Sequence, residues 1–152
     1  MNSPLLSERV PPDRLGVRSR LVLALLALGV VVVLGIAMRL RPDPRGYGTH
    51  GQLGLGPCAF LQLSGKPCPS CGMTTAFSWA VRGRMDRGWR ANPAGVVIAV
   101  TCMVSVPWMV FASVSGRTWP FRSAEGPLVS VVLAGVALAL IAWAFRLLRY
   151  IP

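Results

Sequence analysis

Three long apolar runs without a charged residue constrain this chain more than any other feature. They cover residues 21–38, 93–114 and 128–145. A helix rises about 1.5 Å per residue, so even an 18-residue run reaches about 27 Å, close to the thickness of a bilayer's hydrocarbon core. Each run is therefore expected to form a transmembrane helix.

The composition supports a membrane protein. The chain has 152 residues, of which 53% are hydrophobic and 14% charged, whereas soluble domains carry about 25% charged residues. The apolar residues also fall in blocks instead of alternating with polar ones. The predicted fold class is an all-α membrane protein with three transmembrane helices.

The connecting segments define the predicted domain organisation. Residues 73–81 are apolar but too few to cross a bilayer, so they are expected to form a short helix on the membrane surface. The full prediction is a flexible N-terminal tail (1–20), a transmembrane helix (21–38), a Cys-rich loop with the interfacial helix (39–92), a transmembrane helix (93–114), a short loop (115–127), a transmembrane helix (128–145) and a C-terminal tail (146–152).

The net charge of +11 comes almost entirely from arginine, and arginines cluster at the ends of the apolar runs. Such flanking cations set topology and meet anionic headgroups, and no basic stretch with interleaved aromatic residues indicates nucleic-acid binding. The side with the Cys-rich loop carries ten basic residues and the other side six, which favours a cytoplasmic loop. Arg18 and Arg20, directly before the first run, favour the opposite orientation.

Three of the four cysteines lie in one Gly/Pro-rich segment. The spacing Cys68-x2-Cys71 suits either a disulfide or a shared metal ion. A structural zinc site would take Cys58, Cys68 and Cys71, with His50 as the fourth ligand, although this order is not a standard finger spacing. Cys102 lies inside the second apolar run and is expected to be a small residue in a helix contact.

Two other functions fit the same segment. Cys68 and Cys71 could be the redox pair of a membrane thiol-disulfide oxidoreductase that passes electrons to a quinone or a second dithiol, because a helix starting after them would lower a thiol pKa. That function needs an exported loop. The alternative is a non-enzymatic accessory subunit, because no catalytic set of side chains can be assembled and Asp86 is expected to pair with Arg82 or Arg90.

Several short motifs follow one another in the chain: Cys58-x-Phe60, Gly65-x-Pro67-Cys68-Pro69-x-Cys71-Gly72-x-Thr74, Arg82-Gly83 and Asn92-Pro93. Their residues and order resemble a bacterial membrane family, domain of unknown function 2752. The resemblance extends over about residues 47–105. This sequence differs from the family pattern at Thr75, where the family usually has Arg, and at Ala59, where it often has Pro. The resemblance implies a multi-span protein of the bacterial inner membrane with a Cys-rich loop, and it implies no reaction.

Together these observations predict a small integral membrane protein with a thiol-based structural or zinc site in its first loop. It is expected to contact the lipid bilayer and to serve another membrane protein as an accessory subunit, with a membrane thiol-disulfide oxidoreductase as the alternative.

Overall fold

The computed structural model describes residues 14–117 and 125–149, and these residues form helices and turns without a named strand. The helices are α1 (Val17–Arg39), α2 (Ala59–Ser64), α3 (Met73–Ala80), α4 (Met85–Ala91), α5 (Pro93–Ser115) and α6 (Glu125–Arg149), and a 3-10 turn spans Thr49–Leu53. The all-helical prediction is confirmed for this part of the chain. The predicted tail 1–20 and short loop 115–127 lie largely outside it.

Helices α1 and α5 are each 23 residues long and apolar enough to cross a membrane. Only 17% of the apolar stretch of α1 and 28% of that of α5 are buried inside the protein, so most of their apolar surface faces outward, unlike that of a soluble core helix. Helix α6 has a shorter apolar stretch, Leu133–Phe145. The third membrane span therefore stays a prediction.

Local sequence explains where the two long helices begin and end. Helix α1 starts four residues before the predicted span and stops at Leu40, which is extended and precedes Arg41 and Pro42. Asn92 caps α5 by accepting a hydrogen bond from the Gly95 amide, and Pro93 takes the first helical position. Gly116, with φ of 68°, ends α5 in the left-handed conformation.

Helices α1 and α5 pack antiparallel against each other. Leu23, Ala27, Met109 and Ala112 form a buried cluster between them, where the alanines allow close approach of the two backbones. At the start of α1, the Leu15 amide donates to the Gly116 carbonyl at 2.8 Å. The Cys-rich loop consequently lies at the opposite end, where α1 finishes and α5 begins.

The short helices fill the loop end of this pair. Helix α3 contacts α1, α4 and α5, and Ala76, Ala91 and Val96 form a second buried cluster. Helix α6 packs along α5, and its Trp143 indole donates to the Pro67 carbonyl at 2.9 Å. All three long helices therefore contribute to the end of the molecule that holds the cysteines.

Candidate metal centre

Cys58, Cys68 and Cys71 converge on one point of the loop. Their sulfur atoms all lie within 4.8 Å of one another, and the Cys58 and Cys68 sulfurs are 3.5 Å apart. Cys58 is the residue before α2, and Cys71 lies two residues before α3. A turn closed by the Cys71 amide on the Cys68 carbonyl brings the C-x2-C pair together. None of the chain's four cysteines forms a disulfide.

The three thiols differ in exposure and acidity. Cys71 is 7% exposed, whereas Cys58 and Cys68 are half-buried. Burial raises the pKa of the Cys71 thiol to about 11, and the nearby Cys68 sulfur adds to this rise because two thiolates repel each other. Burial also acts to raise the pKa of Cys68, but hydrogen bonds to Ser70 and Cys58 outweigh it and leave that pKa below its ordinary value.

Gly72 fits a space that no other residue can occupy. Its φ is 83°, and a Cβ at this position would lie 2.6 Å from the carbonyl oxygens of both Gly46 and Ala91. Real side chains do not approach backbone oxygens this closely. The Cys-Gly sequence therefore lets the buried thiol's backbone pass between the start of the loop and the end of α4.

Asn92 ties the cysteine turn to the start of α5. Its side chain is 1% exposed; the Nδ2 atom donates to the carbonyls of Pro69 at 3.3 Å and Cys71 at 3.1 Å. The same side chain accepts from Gly95 at 3.1 Å to cap the helix. The sequence indicated only the cap. The one sequence signal of its contact with the cysteine turn was that Asn92-Pro93 belongs to the same set of family motifs as the cysteines.

Two further polar contacts fix the loop to its surroundings. Thr49 and Thr75, each 1% exposed, share a hydrogen bond of 2.8 Å between their hydroxyls. Arg82 donates to the carbonyls of Ala37 and Leu40 at 3.1 and 2.8 Å, and so supplies partners for carbonyls at the end of α1 that have no partner within the helix. Sequence reasoning did not find these roles.

The expectation that Asp86 pairs with Arg82 or Arg90 is wrong. Because the guanidinium of Arg82 binds the end of α1, Arg82 does not pair with Asp86, and neither does Arg90. Asp86 instead lies 3.7 Å from the Nε atom of Arg84. This ion pair is exposed, so it contributes little to stability.

The remaining predicted residues lie outside the sulfur cluster. His50, on the 3-10 turn, places its Nε2 atom 3.2 Å from the Gly56 carbonyl and does not join the three cysteines. Cys102 is half-buried in α5, far along the chain from the loop. The structure therefore brings together three of the four residues predicted as metal ligands, and the assignment of a metal to them stays a prediction.

Three sulfurs at this spacing can bind a soft metal ion or exchange disulfides. Thiolates favour zinc, copper(I) and iron–sulfur clusters, and a pair of free thiols 3.5 Å apart needs only a small movement to form a bond. Either use requires the cysteine turn to be held in place, which the contacts of Asn92 and Gly72 provide.

Comparison with known proteins supplies a family and no activity. No curated protein and no solved structure matches this chain. Residues 58–106, from Cys58 into α5, match the sequence model of the family described as "Protein of unknown function (DUF2752)", which confirms the family resemblance.

Proposed function

We propose that this chain is an integral membrane protein whose Cys58, Cys68 and Cys71 bind a structural zinc ion, and that it serves as an accessory subunit of another membrane protein. The convergence of the three thiols within 4.8 Å carries the metal assignment. The matched family segment contains all three of these cysteines and Asn92.

The sulfur distances fit zinc. Zn–S bonds of about 2.3 Å in a tetrahedron separate two sulfurs by about 3.8 Å. The 3.5 Å between Cys58 and Cys68, and the limit of 4.8 Å over all three, require only small side-chain adjustments to reach that value. Bound zinc would hold all three cysteines as thiolates and link α2 to the start of α3.

A structural role follows from how little else holds α2. None of its six residues is buried, so packing contributes little to fixing this helix. Zinc binding contributes about 10 kcal/mol or more to small folded sites. A metal bound by Cys58 on one side and by Cys68 and Cys71 on the other would fix α2 against the body of the protein.

The fourth ligand remains to be assigned. His50 was the sequence-based candidate, and its Nε2 atom lies beside the Gly56 carbonyl instead of the sulfurs. Cys58 and Cys68 leave the cluster partly accessible. The fourth position is therefore open to His50 after a movement of the 50–57 segment, or to a ligand from outside the chain.

The accessory role is supported by an exposed apolar surface next to the cluster. Phe60 and Leu63 of α2 are 44% and 89% exposed, in a helix that zinc would hold rigidly. These two side chains lie three residues apart on one face of the helix, and contiguous exposed apolar surface of this kind marks protein or membrane interaction sites. We place the loop on the cytoplasmic face of a bacterial inner membrane, following the excess of basic residues on that side.

Metal analysis of the purified chain tests the zinc site. We expect about one zinc per chain, and the single variants Cys58→Ser, Cys68→Ser and Cys71→Ser should each reduce it strongly. Cys102→Ser is the matched control, because it removes a thiol outside the cluster and should keep the metal. Background zinc in the parent, or equal loss in Cys102→Ser, contradicts the proposal.

A second candidate function is thiol-disulfide exchange, favoured by the unequal exposure of two neighbouring thiols. Cys68 is accessible and Cys71 is buried, the arrangement of an attacking and a resolving thiol. Oxidation would join Cys68 and Cys71 and release two protons and two electrons to a quinone or to a partner's disulfide. Mass spectrometry after rapid alkylation of intact cells distinguishes the functions: reduced thiols with bound zinc support the structural centre, and a reversible Cys68–Cys71 disulfide supports exchange.

The partner is tested separately from the metal. Phe60→Ser and Leu63→Ser should abolish co-purification of a membrane protein while leaving zinc content unchanged. Leu21→Ser, at a 60% exposed apolar position near the start of α1 and away from the Cys-rich loop, is the control and should keep the partner. Unchanged co-purification in the α2 variants rejects this surface as the docking site.

A further inference from the structure

A groove on the outer side of α1 leads to the end of the helix that carries the Cys-rich loop. Its volume is about 480 Å³. One residue of its lining is charged and the others are apolar or glycine. The lining residues are Val32, Gly35, Ile36, Arg39, Leu40 and Leu53.

One side of the groove is held in place by hydrogen bonds, and its base is open helix surface. Leu53 ends the 3-10 turn, and its neighbour Gln52 both accepts from the Arg41 amide at 3.0 Å and donates to the Arg41 carbonyl at 2.6 Å. This pair of hydrogen bonds holds Leu53 beside α1. On the floor, a Cβ added at Gly35 would meet nothing within 4 Å, so the helix surface there is recessed.

Arg39 closes the groove at the loop end. It is the last residue of α1 and is exposed, and its guanidinium forms no hydrogen bond or ion pair with the described part of the chain. Val32 lies about 10 Å further along the helix axis, in the direction of the bilayer centre if α1 crosses a membrane. An apolar channel that ends at a cation matches an acyl chain with an anionic headgroup.

We propose that this groove binds one acyl chain of an anionic phospholipid, whose phosphate contacts the guanidinium of Arg39. Charge complementarity selects this occupant, because a neutral detergent or an apolar partner helix would fill the groove and leave Arg39 without an anion. The inference rests on the proposed membrane insertion of α1. It does not depend on the metal centre.

Native mass spectrometry of the full chain, released from nanodiscs of equal parts phosphatidylglycerol and phosphatidylcholine, tests the site. The parent should retain one phospholipid, enriched in phosphatidylglycerol. Arg39→Gln should lower that enrichment about fivefold, the effect of one cation at the membrane surface. Arg41→Gln makes the same charge change two residues away, outside the groove, and should lower the enrichment clearly less than Arg39→Gln does.

A second pair of variants tests the apolar wall. Leu53→Ala should reduce retained lipid, and Leu55→Ala should not, because Leu55 is similarly exposed on the same segment but does not line the groove. Both positions are exposed enough to spare the fold, which the thermal unfolding of each variant checks. Equal lipid retention in the two leucine variants, equal enrichment in the two arginine variants, or a co-purifying protein released only by Leu53→Ala overturns the lipid assignment.

Zinc content measured on the same samples separates this inference from the proposed metal centre. Retained lipid in a zinc-free parent would support the groove and reject the metal. Bound zinc without selective lipid retention would support the metal centre and reject the groove as a lipid site.

Discussion

The side-chain amide of Asn92 donates a hydrogen bond to the backbone carbonyl of Cys71, at 3.1 Å, inside the protein. Through this contact, the first residue before a membrane-length helix also fixes the turn that carries the most buried thiol. This contact couples the position of the cysteine cluster to the start of α5, so a substitution that disturbs one of them should also disturb the other.

Replacing Asn92 by Ala should therefore lower both stability and metal retention. The change removes a helix cap, worth about 1 kcal/mol, and the hydrogen bonds from Asn92 to the carbonyls of Pro69 and Cys71, each worth about 0.5–1.5 kcal/mol. We expect a clear fall in the thermal unfolding temperature in detergent and faster zinc loss to a chelator.

Asn92→Ser separates the two roles of this side chain. Serine is a good cap but cannot reach both carbonyls, so stability should recover in part while zinc loss remains fast. Zinc retention equal to that of the parent in both variants would show that the Asn92 contact does not hold the cysteine turn.

Gly72→Ala should disrupt the site far more than a positive φ alone explains. Its Cβ would meet the carbonyls of Gly46 and Ala91 at 2.6 Å, so the backbone must shift next to Cys71. Gly54→Ala is the matched control: its φ of 75° is similar, and its Cβ would meet nothing within 4 Å. The control should lose about 1–2 kcal/mol.

The measurement for both glycine variants is unfolding in detergent together with metal content. We expect Gly72→Ala to unfold at a clearly lower temperature and to lose its metal, and Gly54→Ala to keep its metal. Similar losses in the two variants would mean that only backbone conformation matters and that the close approach at Gly72 is unimportant.

Arg82→Lys should destabilise the protein although it preserves the charge. The guanidinium reaches Ala37 and Leu40 of the α1 end and also the Ser78 hydroxyl at 2.8 Å, and an ammonium group cannot match that planar spread of donors. Loss of one or two of these bonds should cost about 1–3 kcal/mol, seen as a lower unfolding temperature.

Arg84→Lys supplies the comparison for this prediction. Arg84 makes only the exposed ion pair with Asp86, so its replacement should change stability by less than about 0.5 kcal/mol. Equal effects at the two positions would argue against the role of Arg82 at the end of α1.

Trp143→Phe should loosen α6 from the loop. It removes the hydrogen bond to the Pro67 carbonyl and keeps most of the aromatic packing, so a loss of about 1 kcal/mol is expected. Trp89→Phe, at a 53% exposed indole on α4, should be nearly neutral. Alkylation of Cys68, next to Pro67, should be faster in Trp143→Phe alone; equal rates in both variants would reject the contact.

The sequence could predict the elements because their signals are local. Apolar runs predicted the positions of α1 and α5, and the Asn92-Pro93 pair predicted where α5 begins. Residues 73–81 were correctly expected to be helical, although their position at a membrane surface is untested. Each of these inferences needs only neighbouring residues.

The contacts that hold the site could not be predicted, because they join distant parts of the chain. Asn92 contacts a turn more than twenty residues earlier, and Gly72 is confined by residues on either side of it in sequence. From the sequence, Arg82 was interpreted as a possible partner for Asp86. In the fold, its guanidinium instead donates to carbonyls at the end of α1, because these offer several acceptors to one guanidinium.

Zinc affinity should rise with pH, because metal and protons compete for the same sulfurs. Without metal, the pKa of Cys71 is raised to about 11, so this thiol stays protonated at neutral pH and must release its proton when zinc binds. At pH values below that pKa, each unit by which the pH falls should therefore weaken zinc binding about tenfold through this proton alone. Competition titrations with a chelator between about pH 6 and 8, corrected for the chelator's own protonation, measure the slope. Cys102→Ser should give the parent's slope, whereas a pH-independent affinity in the parent would mean that Cys71 is not a ligand.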